Sequence, residues 1–258
     1  MSLHIVVCIK SVVKAAPQGV ARRTPENSEL NPFDRPALEA ALQLKAETGA
    51  MVTALSMGPA VSAEALAEAL AMGADRAVLI SDRALAESDT LVTASVLAAG
   101  VQKIGGFDWL FFGTRTSDSD TGQVGPQTSS LLEIPFISGV KKIDVQDQDW
   151  ILERTMDAWE ETWQVRAPAA ASIDPRAFAP RPLDLAGIAR VYDQPAVQQL
   201  ALADLDLAAA EVGLAGSPTR VASLEKIKRS RRCLMLEGEP QKQMEALLEH
   251  LTQAGLIE

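Results

Sequence analysis

The chain has 258 residues, 47% hydrophobic and 22% charged, which suits a soluble globular protein of one large α/β domain or of a domain with an appendage. Its 24 Lys and Arg against 34 Asp and Glu leave a formal net charge of −10, which argues against nucleic acid as the main partner, since phosphate backbones need a basic surface. No apolar run approaches the roughly 20 residues of a membrane helix.

The opening MSLHIVVCIK has no basic n-region and no small-residue cleavage site, so no secretion signal is expected. Residues 3–9, LHIVVCI, predict a strand covered on both faces. A polar loop with Pro and Gly breakers follows over 10–32, and its length marks it as functional. DRPALEAALQLKAETG, 34–49, predicts a helix with Asp34 as N-cap, Pro36 in the first turn and Gly49 at the end. A strand at 51–57, a helix at 62–73 capped by Ser62 and a strand at 76–81 follow. Residues 88–105 predict a helix with Leu91, Ala94, Ala98 and Val101 on one stripe. FDWLFFG, 107–113, is a strand; 121–133 is loop plus helix, and PFISGV at 135–140 opens another strand. This alternation predicts βαβ units and a parallel sheet with helices on both faces.

After residue 140 the rhythm changes. KKIDV, DWILER and TWQVRAPAAASI predict antiparallel strands at the sheet edge. Residues 174–230, rich in Pro, Arg and Asp, read as an arm more than a core, and 239–255 as an amphipathic helix with Met244, Leu247, Leu248 and Leu251 on one face. The domain expectation is 1–175 for the α/β body and 176–258 for a partner-binding arm and helix.

The richest loop at a strand end is SDSDTGQVGP, 117–126. Its glycines allow close backbone approach, and its amides precede a helix, where partial positive charge favours phosphate. An equal reading is a turn in which Asp118 or Asp120 caps the helix. No GxSxG, HExxH or Walker pattern is present, so no catalytic residue and no metal site is expected. His4 and His250 read as structural or solvated, Trp109, Trp150, Trp159 and Trp163 as packing, and KIKRSRR at 226–232 as a solvated face. Cys8 and Cys233 have no metal-like spacing; two free thiols in a reducing compartment are expected.

Several stretches resemble, in order and spacing, the β (small) subunit of electron transfer flavoproteins. They are VCIKSVV, ELNPFDRPALEAALQLK, ALSMGPA, EALAMGADRAVLISDRA, FFGTRTSDSDTGQVGP and GSPTRV. The resemblance covers nearly the whole chain. It implies the adenine-nucleotide α-hydrolase-like version of the doubly wound, mostly parallel sheet, with antiparallel edge strands, an extended C-terminal arm and a closing helix. It also implies a larger α-subunit partner that holds the redox FAD, and a second nucleotide in this chain, AMP or a second FAD. The chain would then carry electrons from a flavin dehydrogenase to a quinone reductase or other acceptor in a bacterial cytoplasm, without catalytic residues of its own. Bifurcating activity with NADH is a variant of the same reading.

Carried over residue by residue, the resemblance places nucleotide contacts at Cys8, Ile9, Asn31, Ser56, Gly58, Gly113, Asp118, Asp120, Thr121, Gly122, Gln123, Val124 and Gly125. It sets Phe33 toward the partner's flavin and Leu185 as an anchor for the dehydrogenase; the plain alternative for Leu185 is a buried loop leucine. Ordinary members read D-x-N-Q-T-G where this chain has Asp120-Thr121-Gly122-Gln123-Val124-Gly125. The segment DTGQVGP is closer to the bifurcating and nitrogen-fixation branches. Those branches also carry V-P-D-T, which Ser11-Val12-Val13-Lys14-Ala15 lacks, so AMP and FAD both stay open. From a different class, a stand-alone AMP- or ATP-binding regulatory module shares the fold and would ignore any large subunit.

Overall fold

The computed structural model describes residues 3–14, 24–146, 149–193, 196–223 and 233–257. The basic cluster at 226–232 and part of the loop after the first strand lie outside them. The chain divides into two compact units, residues 1–220 and 221–258.

In the first unit the strands are β1 (His4–Cys8), β2 (Ser11–Val13), β3 (Ser28–Leu30), β4 (Met51–Met57), β5 (Arg76–Ile80), β6 (Trp109–Gly113), β7 (Phe136–Gln146), β8 (Asp149–Met156), β9 (Trp159–Val165), β10 (Ala169–Ile173) and β11 (Val197–Leu200). The helices are α1 (Asp34–Thr48), α2 (Ala63–Met72), α3 (Thr90–Ile104), α4 (Val124–Leu131), α5 (Leu185–Asp193) and the short α6 (Gly213–Gly216). Among the described residues one sheet runs in the order β11-β5-β4-β1-β6-β10-β7-β8-β9. It is parallel from β11 through β7, and β8 and β9 close it as an antiparallel meander. β2 and β3 form a separate antiparallel ribbon inside the long loop after β1.

Successive strand residues point to opposite faces, and both faces are apolar. Ile5, Val7, Trp109, Phe111, Ala169 and Ala171 join α1 and α2 in one core. Val6, Cys8, Leu55, Leu110, Phe112 and Ala170 join Val92, Val96 and Val101 of α3 in the other. Near-continuous apolar runs such as HIVVC and WLFFG are therefore what this sheet requires. Trp109 anchors the first core, its ring 4.8 Å from Trp150 and 5.9 Å from Phe111. His4 is a buried structural residue, its Nδ1 2.8 Å from the Gly106 carbonyl and its Nε2 2.8 Å from Thr53 Oγ1. No helix among the described residues is long and apolar enough to cross a membrane.

The fold corrects several sequence expectations. Ala169–Ile173 is not an antiparallel edge strand: it lies between β6 and β7, parallel to both and wholly buried. Its small side chains suit a position flanked by Trp109 and Phe111, a context that β-propensity cannot report. The expected arm contains β11, which extends the parallel sheet beside β5. Leu200, Leu202, Leu205 and Val212 belong to the α3-side core, so the body continues to residue 220 rather than 175. A four-residue edge strand, VQQL, with Gln198 and Gln199 in solvent leaves no periodic trace. Of the expected α3 stripe Ala94, Ala98 and Val101 are buried, joined by Val92, Val96 and Leu97, but Leu91 is 40% exposed. Trp159 and Trp163 are exposed at 75% and 45%, and only Trp109 and Trp150 are core. The second unit, described by itself, carries the expected helix as α7 (Pro240–Gln253), with Met244, Leu247 and Leu248 exposed.

Candidate functional site

The strand order reverses at β1. The chain runs outward from β1 to β4 and β5, then crosses back to β6 on β1's other side. In open α/β sheets the crevice beyond the carboxyl ends at such a reversal receives ligands. Cys8, Ile9 and Lys10 leave β1 there, and Gly113 leaves β6.

Asp34 ties the two strand ends together. It was expected to cap α1, but Phe33 takes the N-cap position and Asp34 is the first helical residue. Its Oδ2 instead accepts a 2.7 Å hydrogen bond from the Lys10 amide. Burial pushes its carboxyl up to about 7, against the opposing pull of the Lys10 amide, the Asn31 side chain, the Lys10 charge and the Gly113 amide. Gly113 has no room for a side chain: a Cβ there would overlap Asp34 Oδ1 and lie 2.6 Å from the Phe33 carbonyl oxygen. Asn31, fully buried, joins the two loops. Its amide donates to the Lys10 carbonyl at 2.9 Å, its Nδ2 donates to the Arg115 carbonyl at 2.9 Å, and its Oδ1 accepts from the Ser117 amide at 3.2 Å.

The loop from 114 to 123 decides between a capped turn and a ligand site. Neither aspartate caps α4, whose N-cap is Gln123 with no side-chain cap bond. Asp118 accepts from Lys10 Nζ at 2.7 Å, and the same ammonium reaches Ser119 Oγ at 3.2 Å. Burial would raise the Asp118 carboxyl, but Lys10 and the Thr116 and Ser119 hydroxyls outweigh it and hold it below the usual range. Asp120 and Gly122 adopt φ of +53° and +63°, turning the chain back toward the crevice. No acceptor among the described residues engages the amides of Thr121, Gly122, Gln123, Val124 or Gly125. Thr121, Gly122 and Gln123 are exposed, and Gly125 is buried against Phe112 and Phe136. A run of free amides at a helix N-terminus is suited to hold an anion.

The other expected residues lie at strand ends, on the loop before α1 and on α5. Cys8 and Ile9 are buried at the β1 end. Burial, with Asp34's charge adding to it, pushes the Cys8 thiol up, so it is a neutral packing group. Ser56 is fully buried at the end of β4, with its Oγ lacking a partner among the described residues. The Gly58 amide donates to the Ile80 carbonyl at 3.0 Å. Phe33 is half-buried, and the Arg115 guanidinium lies 4.5 Å from its ring centroid. Leu185 is 85% exposed, which removes the buried-leucine alternative. It lies on α5, away from the crevice.

Sequence reasoning gave no site role to Lys10, Arg115 or the Asp89 cluster, and read Asp34 as a cap. Asp89 caps α3, accepting from the Val92 amide at 3.0 Å, and its other oxygen accepts from Thr219 Oγ1 at 2.7 Å. That contact docks the GSPTRV segment beside Thr90, whose hydroxyl lies 3.2 Å from Gln123 Oε1. The signals were visible: a lysine directly after an apolar strand, and a Ser-Asp-Thr helix start at 88–90. Among the described residues no group of three His, Cys, Asp or Glu is placed to hold a metal ion.

Residues 19–204 match the model of the electron transfer flavoprotein domain. The chain is 36% identical over 230 residues to an "Electron transfer flavoprotein subunit beta" of Thermoanaerobacterium thermosaccharolyticum, covering 89% of this chain and 88% of that one. It is 35% identical over 275 residues to the "Acryloyl-CoA reductase electron transfer subunit gamma" of Anaerotignum propionicum, covering 99% and 100%. It is 40% identical over 179 residues to the "Protein FixA" of Azorhizobium caulinodans, covering 64% of each chain.

Proposed function

The chain belongs to the electron transfer flavoprotein family, with β subunits and a FixA protein among its relatives, and from that premise we propose that it is the nucleotide-holding small subunit of an αβ electron carrier. The observation that carries this reading is the row of unengaged amides from Thr121 to Gly125, opening at the strand reversal beside a loop already held by Lys10, Asn31 and Asp118. The residues fit a phosphate. Lys10 neutralises Asp118, so the two loop aspartates do not present a full double negative charge to an anion. The lone Ser56 hydroxyl, the bare Gly113 and the close packing of Gly125 leave a crevice of backbone and small groups, as an adenosine phosphate needs. The AMP moiety, free or as part of a second FAD, is the shared chemistry.

A flavin, when bound, supplies the redox chemistry. This chain's own residues bind and orient. The 121–125 amides hold the phosphate, Asp34 and Asn31 fix the loops that frame it, and Phe33, backed by Arg115, faces the large subunit's FAD. Leu185, on exposed α5, docks on the flavin dehydrogenase that delivers electrons in the cytoplasm, and a quinone reductase or other acceptor receives them. Electron delivery then depends on docking geometry and on motion of the partner's flavin domain rather than on proton transfer at this chain.

The test is to purify the chain with its large subunit, denature the complex and identify the nucleotides released. One FAD with one AMP, or two FAD, per heterodimer is expected, and the count distinguishes the two occupants. FAD alone, at one per heterodimer, rejects the crevice assignment. A chain that elutes as a monomer or homodimer and ignores the large subunit rejects the subunit reading.

A further inference from the structure

α5 is seated on the body of the first unit at three points, none of them on its outward face. Gly187 packs against α2 so closely that a Cβ would overlap the Ala71 carbonyl oxygen. Arg190 Nη2 donates to the Leu70 carbonyl at 2.6 Å. Just before the helix, Arg181 grips Glu39 of α1: Nε to Oε2 at 2.8 Å, Nη2 to Oε1 at 3.0 Å, and its own amide to Oε2 at 3.2 Å. Glu39 is only 4% exposed, and Gln43 Nε2 donates to it at 3.0 Å, so the carboxylate is fully engaged. On the opposite side Leu185, Ile188 and Tyr192 are exposed at 85%, 45% and 86%. Their i, i+3, i+7 spacing places them on one stripe.

A helix whose one buried residue is a glycine, and which turns Leu, Ile and Tyr outward, inverts the usual amphipathic order. Of its large apolar side chains only Val191 packs against the α1–α2 core, so the orientation needs a further hold. Gly187 and the Arg190 bond seat the helix but leave its approach unfixed. A bidentate guanidinium–carboxylate pair has one geometry, which an apolar contact would not impose. The net stability of such a pair over an apolar substitute is small, so its consequence is direction.

We propose that the Glu39–Arg181 pair is a positioning element: it fixes the chain entering α5 so that the Leu185–Ile188–Tyr192 stripe faces a protein electron donor. This rests on the docking reading of Leu185 given above. Both residues are positioning residues, acting through the seat of α5.

The test uses the full chain with its large subunit and a purified flavoprotein dehydrogenase that reduces the wild-type complex. R181A should raise hydrogen exchange of the amides at 185–193 by about tenfold or more. It should raise KM for the dehydrogenase severalfold, with kcat at saturating donor and nucleotide content unchanged. Because R181A strands a buried carboxylate, the E39Q/R181M pair, which removes both charges at similar volume, provides the second variant and should show the same two effects. Unchanged exchange over 185–193 in both variants overturns the proposal. So does a loss of kcat and nucleotide together with KM, which would mark general unfolding. L185A separates the two levels. If it leaves KM unaltered while R181A still frees α5, the docking reading falls and the seating of the helix stands.

Discussion

Replacing Asp34 with Asn should abolish a pH dependence of stability that this one carboxyl carries. Burial raises it to about 7 in the folded chain, against roughly 3.9 when unfolded. Between those values the native chain binds a proton that the unfolded chain has released, so stability falls as pH rises. The contribution is complete below about pH 4 and gone above about pH 7; at about 1.4 kcal/mol per unit its full size is roughly 4 kcal/mol. Between pH 5 and 8 roughly 3 kcal/mol of it is lost. Asp82, Asp89 and Asp118 are held below their ordinary values and impose the opposite slope, but only below about pH 4, outside the pH 5–8 window. The difference between wild type and D34N removes their common contribution. Urea unfolding of the complex, followed by tryptophan fluorescence at fixed protein concentration across this pH range, measures it. The wild type's stability relative to D34N should drop by the stated amount toward pH 8. A difference flat to within about 0.5 kcal/mol would show that Asp34 is solvated or already ionised, and the account of the strand-end tie would fail.

Gly113→Ala forces a methyl onto the Phe33 carbonyl, 2.6 Å away, where backbone cannot rotate aside; a loss of about 1–3 kcal/mol is expected, read as a lowered Tm together with depleted nucleotide. Lys10→Met leaves Asp118 without the ammonium now 2.7 Å away. The carboxyl should titrate higher, and nucleotide retention after dialysis, measured by chromatography, should weaken about tenfold; retention equal to wild type would remove Lys10 from the site. Trp109→Ala empties the contact with Trp150 and Phe111 and should cost about 3–5 kcal/mol of unfolding free energy, read from urea denaturation, with a change under about 1 kcal/mol contradicting its place in the core.

Much of the body was legible because its signals are local. A strand buried on both faces reads as an apolar run, and β1, β4, β5 and β6 fall within a residue or two of their expected bounds. Gly49 ends α1 in the left-handed conformation that a Cβ disfavours. The loop at 117–126 was legible as a place but not as a function. Its composition fits a capped turn as well as an anion cradle, and only the fold shows that neither aspartate caps α4. Once Asp118 is seen bound to Lys10, it is no longer available to cap α4.

What the sequence determined by itself was the βαβ alternation, the family and the place of the glycine-rich loop at 117–126, because each is written in runs of neighbouring residues. The tertiary structure decided the rest. Lys10 meets Asp118 from 108 positions away, Asn31 meets Arg115 from 84 and Glu39 meets Arg181 from 142. The burial that lifts the Asp34 carboxyl, and the central place of the alanine strand β10, likewise exist only once the sheet has closed around them. Charge partners and dielectric are properties of the packed chain, and no local pattern encodes them.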